Sequence, residues 1–120
     1  MNKEEVIDSI VEKAEEIEKE IYELTGKVFC GTSGIGILKS GLRKTAVSIA
    51  QNIAQAVLEF PNKKCLMYIQ KSLSLLKTLN YYNFISRKIG YFTSSQYFRL
   101  KKKIKDITER TSLALKNFRV

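Results

Sequence analysis

The sequence predicts an all-α protein, an antiparallel up-down four-helix bundle that occupies residues 1–120 as a single domain. Three observations predict it. Apolar residues recur at alternating spacings of three and four through four separate stretches, which is the period of a helix seam. No stretch shows the strict alternation of a half-buried strand. The stretches are separated by glycines or by the single proline, residues that interrupt helices. The apolar share of 44% and the charged share of 28% suit a chain that folds around a core.

The first helix is expected over approximately 3–24, with Ile7, Ile10, Ala14, Ile17, Ile21 and Leu24 as its seam and carboxylates on its other faces. Residues Thr25 to about Gly36 hold four of the six glycines and read as a loop. Lys39 and Ser40 follow those glycines, but Leu38 stands where a phosphate-binding loop requires glycine, and a helix precedes it instead of a strand. The second helix is expected over 37–60, with Leu38, Leu42, Ala46, Ile49, Ile53, Ala56 and Phe60 on the seam. A second stripe of Val47, Ala50, Ala54 and Val57 lies beside it, more apolar surface than one bundle needs. Pro61 ends that helix. The third is expected over 62–89, with Leu66, Ile69, Leu73 and Leu76 on the seam and Gly90 as its C-cap. The fourth is expected over 93–118. Thr93 and Gln96 form a capping box, Phe92 and Tyr97 a hydrophobic staple, and Tyr97, Leu100, Ile104, Ile107, Thr111, Ala114 and Phe118 the seam.

Charge is sorted along the chain. Residues 1–23 carry nine carboxylates against three lysines, a net of −6, and residues 24–120 carry three against eighteen Lys/Arg, a net of +15, which together make the overall +9. A stretch so basic attracts an anion: the acidic helix of the same or a neighbouring chain, or a phosphate backbone. The candidate phosphate contacts are Arg43 and Lys44 on the second helix, Lys63 and Lys64 at the start of the third, and Arg87 and Lys88 at its end. On the fourth they are Arg99, Lys101, Lys102, Lys103 and Lys105. Lysine predominates, which favours phosphate attraction over base reading. If about six phosphates are neutralised, log K falls against log salt with a slope of roughly −5. Tyr81, Tyr82, Tyr91 and Tyr97 are placed where they stack on bases or pack at the rim of the core, packing being the commoner use.

Other classes are disfavoured. The chain has no histidine, so most metal sites and every imidazole-base mechanism fall away, and no cofactor is expected. Asp106 and Glu109, with basic neighbours, read as surface pairing and not as a catalytic pair. An enzyme is therefore not expected. The acidic N-terminus resembles no secretory or transit peptide. The longest uncharged stretch is too short and polar to span a bilayer, and Cys30 and Cys65 read as free thiols, so a cytoplasmic protein is expected.

The segment from Leu42 to Ala54, L-R-K-T-A-V-S-I-A-Q-N-I-A, resembles the second-helix signature L-R-R-A-x-V-S-I-x-x-N-I-A-E-G of the four-helix bundle proteins encoded in 23S rRNA intervening sequences. Ile21–Thr25 is similar to the end of that family's first helix. Ser72, Leu73 and Leu76 resemble its G-S-L-x-E-L motif, and Ile89-Gly90-Tyr91-Phe92 its turn before the fourth helix. The chain departs from the pattern at Gln55-Ala56, where the family has Glu-Gly, at Lys71, where it has glycine, and at Leu75, where it has glutamate. These departures remove acids and add a lysine. The resemblance implies a homo-pentameric ring of bundles and assigns no activity. A related branch, the accessory proteins of diversity-generating retroelements, is a basic pentameric barrel that assists a reverse transcriptase and contacts nucleic acid. Two functions are therefore expected: a basic homo-oligomer that binds RNA or DNA by charge and shape, or an accessory scaffold for a reverse transcriptase or another protein.

Overall fold

A computed structural model describes residues 2–26 and 33–118. Four helices run in order, α1 (Lys3–Gly26), α2 (Ser33–Glu59), α3 (Lys64–Lys88) and α4 (Ser94–Phe118), and the described residues contain no strand. Each helix packs against its two neighbours in a square, α1 on α2, α2 on α3, α3 on α4 and α4 on α1, while neither diagonal pair brings Cα atoms within 8 Å. The molecule measures 47 × 22 × 18 Å, the length of one long helix by the width of two.

The seams of α1, α2 and α4 lie where the spacing places them, except that Leu24, Phe60 and Tyr97, at the ends of the predicted seams, are half-buried. Ile7, Ile10, Ala14, Ile17 and Ile21 are buried, as are Leu38, Leu42, Ala46, Ile49, Ile53 and Ala56, and Leu100, Ile104, Ile107, Thr111, Ala114 and Phe118. Asn2 caps α1, its Oδ1 accepting the Glu5 N–H at 2.8 Å. The capping box of α4 is formed in both directions. Thr93 Oγ1 accepts the Gln96 N–H at 3.1 Å, and Gln96 Oε1 accepts the Thr93 N–H at 2.9 Å. Gly90 follows α3 with φ +81°, a left-handed backbone that glycine adopts without strain.

Two expectations are corrected. The glycine-rich segment Thr25–Gly36 is not all loop, because α1 extends to Gly26 and α2 begins at Ser33. Thr25 is buried. Its hydroxyl donates to the Ile21 carbonyl at 2.6 Å and accepts from Arg43 Nε at 2.8 Å, which ties the last turn of α1 to α2. Packing of Ile35 and Leu38 on the core outweighs the helix penalty of about 1 kcal/mol for each glycine in the first turns of α2. Cys30 lies outside the described residues.

The seam of α3 is the second correction. Its buried positions are Cys65, Ile69, Ser72, Leu76, Leu79, Asn83 and Ser86, whereas Leu66 and Leu73 are half-buried on the flank. Polar residues occupy a core seam because two of them bond to their own helix: the Ser72 and Ser86 hydroxyls donate to the carbonyls of Tyr68 and Tyr82 at 2.9 and 2.7 Å. Helix α3 also stands close to α2. A Cβ at Gly41 would lie 2.6 Å from the Tyr82 ring, so only glycine fits there without movement. Helix α3 starts at Lys64, two residues later than expected, since the Asn62 side chain accepts the Lys64 N–H at 3.0 Å in a turn.

Candidate nucleic-acid interface

The up-down order sets the electrostatics. Helix α1 carries nine carboxylates and three lysines, and α3, on the opposite corner, carries five Lys/Arg and no carboxylate. Helix α4 lies between these corners with seven Lys/Arg against Asp106 and Glu109. The acidic helix thus neutralises one side of α4 and leaves α3 untouched.

The α1/α4 seam is a polar rail in antiparallel register. Arg110 donates to the Ser9 hydroxyl at 2.6 Å, Lys13 meets Asp106 at 3.7 Å, and Arg110 also pairs with Asp106 at 3.2 Å. Glu20, 4% exposed, receives Arg99 Nε at 3.0 Å and Lys103 Nζ at 3.2 Å. A buried carboxylate needs such partners to remain in the fold. Arg99 and Lys103 are thereby committed to Glu20.

The remaining predicted contacts divide by place. Arg43 is half-buried, bonded to Thr25 with its guanidinium 4.4 Å from the Tyr22 ring centroid, and so knits α1 to α2. Lys44 is exposed one residue further on α2. Arg87, Lys88, Lys101, Lys102 and Lys105 are exposed along the end of α3 and the first half of α4. Lys63 and Lys64 are exposed too, but at the other end of α3, about 35 Å from Arg87 at a rise of about 1.5 Å per residue. The eleven predicted cations therefore do not form one surface.

Other residues join the basic corner that the sequence did not single out. Lys71 and Lys77 are exposed on α3, Lys71 with its ammonium 5.7 Å from the Tyr68 ring centroid. Phe84 and Phe98 are exposed beside Arg87, Lys88 and Lys101. Of the predicted stacking tyrosines, Tyr81 is exposed, Tyr82 and Tyr97 are half-buried, and Tyr91 is buried. A signal for Lys71 was present, since it replaces a glycine of the family pattern on an acid-free helix. Among the described residues no group of Cys, Asp and Glu is arranged to hold a metal ion, and no helix is long and apolar enough to cross a membrane. Burial pushes the Cys65 thiol pKa up, opposite to the shift that makes a cysteine nucleophilic.

These features define an antiparallel four-helix bundle with an acidic corner at α1 and a basic corner at α3. The chain belongs to the family described as 23S rRNA-intervening sequence protein, whose model matches residues 8–112. No curated protein matches it.

Proposed function

We propose that the protein is a non-catalytic homo-oligomer, working in the cytoplasm, that binds RNA or DNA by charge and shape. The observation that carries this reading is the acid-free helix α3, where Lys71, Lys77, Arg87 and Lys88 are exposed, with Lys101 and Lys105 exposed on the neighbouring α4. Lysine-rich surfaces of this kind attract phosphate without reading bases. Association is supported by α2, which leaves Ala54 and Leu58 exposed, Leu58 at 78%, beside half-buried Val47 and Ala50. Contact between the acidic α1 of one copy and a basic helix of the next would favour closed association, such as the ring of five that the family resemblance implies.

The test is light scattering after size exclusion, with and without a short structured RNA, over a salt titration. An oligomer that takes up RNA with a log–log salt slope of roughly −4 to −5 supports the reading. Lys101→Ala with Lys105→Ala should flatten the slope by roughly 1.5, and Lys63→Ala with Lys64→Ala, at the far end of α3, should flatten it less. Absence of RNA binding at low salt refutes it. The outcome would then favour the second reading, an accessory scaffold for a reverse transcriptase or another protein.

A further inference from the structure

We infer that the α3/α4 junction is a stacking ledge for single-stranded nucleic acid, with Phe84 and Phe98 taking bases and Arg87, Lys88 and Lys101 taking the flanking phosphates. The inference rests on the nucleic-acid reading above and specifies the form of the polymer.

Phe84 is 46% exposed on α3 and Phe98 61% exposed on α4. Scattered exposed apolar side chains are ordinary, but these belong to one surface. Phe84 and Tyr97 line an open cleft of about 330 Å³ together with Arg87 and Lys88. The Tyr97 and Phe98 rings meet edge to face with centroids 5.0 Å apart. Cations already rest on the rings: Lys88 Nζ lies 5.5 Å from the Phe84 centroid, and Lys101 Nζ lies 5.6 Å from that of Tyr97 and 6.0 Å from that of Phe98. A ring face that an ammonium can reach is a face that no other part of the protein covers. When a base takes that face, the displaced ammonium needs only a side-chain rotation to meet the adjoining phosphate.

Charge and shape choose the occupant. Helix α3 has no carboxylate, and Asp106 on α4 is engaged by Lys13 and Arg110. The other α4 carboxylate, Glu109, stands eleven residues beyond Phe98, about 16 Å along the helix, so a polyanion meets little repulsion at the ledge. A duplex turns its bases inward and would leave the rings unused, whereas a single strand presents both phosphates and π faces. The ledge is also held rigid. Asn83, 1% exposed, donates from Nδ2 to the Tyr97 carbonyl at 3.1 Å and so fixes the first turn of α4 to α3. A backbone held in place loses less freedom when a base binds.

The chain has no tryptophan, so Phe98→Trp places a single reporter on the ledge. The probes are a twenty-nucleotide oligo(dT) and a twenty-base-pair duplex at equal ionic strength. Tryptophan emission is expected to be quenched by oligo(dT) and little changed by the duplex at saturation. Phe84→Ala with Phe98→Ala should weaken oligo(dT) binding roughly 10-fold or more and leave duplex binding as it was. Phe98→Leu, which keeps an apolar side chain but no ring, should weaken oligo(dT) alone, and circular dichroism melts confirm that the variants fold. If the double variant binds oligo(dT) like the wild type, the ledge is overturned while the nucleic-acid reading stands. If neither probe binds at low salt, that reading fails and the ledge with it. If the double variant changes the mass of the protein in light scattering, the patch is a contact between copies and the inference is overturned.

Discussion

Glu20→Gln should make the protein less stable and its grip on nucleic acid stronger. The wild-type carboxylate is almost wholly buried and receives two cations, Arg99 at 3.0 Å and Lys103 at 3.2 Å. Hydrogen bonds to charged groups contribute about 1.5–3 kcal/mol each. The partner side chains are 66% and 33% exposed, so solvent screening brings each bond towards the level of about 1 kcal/mol typical of a surface pair. Glutamine keeps one acceptor oxygen, and both cations can swing into water. The expected loss is about 1–2 kcal/mol, a fall in Tm of roughly 4–8 °C. Removing the cations instead, by Arg99→Ala with Lys103→Ala, strands a buried carboxylate and should cost about 3–5 kcal/mol. Binding moves the other way in Glu20→Gln. Two released cations should steepen the log–log salt slope by roughly 1.5 and tighten binding at low salt. Thermal melts by circular dichroism give the first number and salt-titrated anisotropy the second. The reasoning is refuted if the double cation deletion is milder than Glu20→Gln, because Glu20 would then not depend on its partners. An unchanged salt slope would refute the second half, since Arg99 and Lys103 would then not face the bound polymer.

Two further outcomes test the fold itself. Gly90→Ala forces an L side chain into φ +81° and should destabilise the protein by about 1–2 kcal/mol in chemical denaturation, with Gly90→Asn milder. Burial raises the Cys65 pKa above its ordinary 9.0, so the thiolate is favoured only after unfolding, and the thiol-linked part of the stability is present below about pH 9 and lost as pH rises beyond it. Denaturation midpoints taken between pH 8 and 10.5 should fall more steeply in the wild type than in Cys65→Ala, and equal slopes would contradict the assignment.

How much was legible in the sequence depended on how each helix buries its seam. Helices α1, α2 and α4 bury side chains whose apolar character is visible in one dimension, and every seam position from Ile7 to Ile21 and from Leu100 to Phe118 is buried. Helix α3 hid its seam because Ser72, Asn83 and Ser86 fill it, while Met67, Tyr81 and Phe84 point outward. A hydroxyl that bonds back to its own helix passes for a surface residue in a list of letters. The glycines before Leu38 misled in the opposite sense, since helix propensity is a weak signal where Ile35 and Leu38 reach the core. The candidate site was legible as charge and not as geometry. Nothing in the sequence marks Arg43 as bonded to Thr25, or Arg99 and Lys103 as held by Glu20 seventy-nine and eighty-three residues away. Those pairings exist only once α1 lies antiparallel to α4.

The polarity of the molecule follows from topology more than from composition. In an up-down square, helices consecutive in sequence are neighbours in space, so the first and third must occupy opposite corners. Placing the acid in the first helix and keeping it out of the third therefore produces two surfaces of opposite sign about two helix widths apart, with no long-range design beyond helix order. The same acid moved to the second helix would flank α3 directly and quench the corner where Lys71, Lys77, Arg87 and Lys88 stand exposed. In the proposed ring the two corners have competing uses. A neighbour's α1 and a phosphate backbone both suit the basic surface, and both contacts weaken with salt. The aromatic ledge distinguishes them, because stacking on Phe84 and Phe98 is available to a base and not to a glutamate. Nucleic acid held there should outlast, as salt rises, any contact made through charge alone.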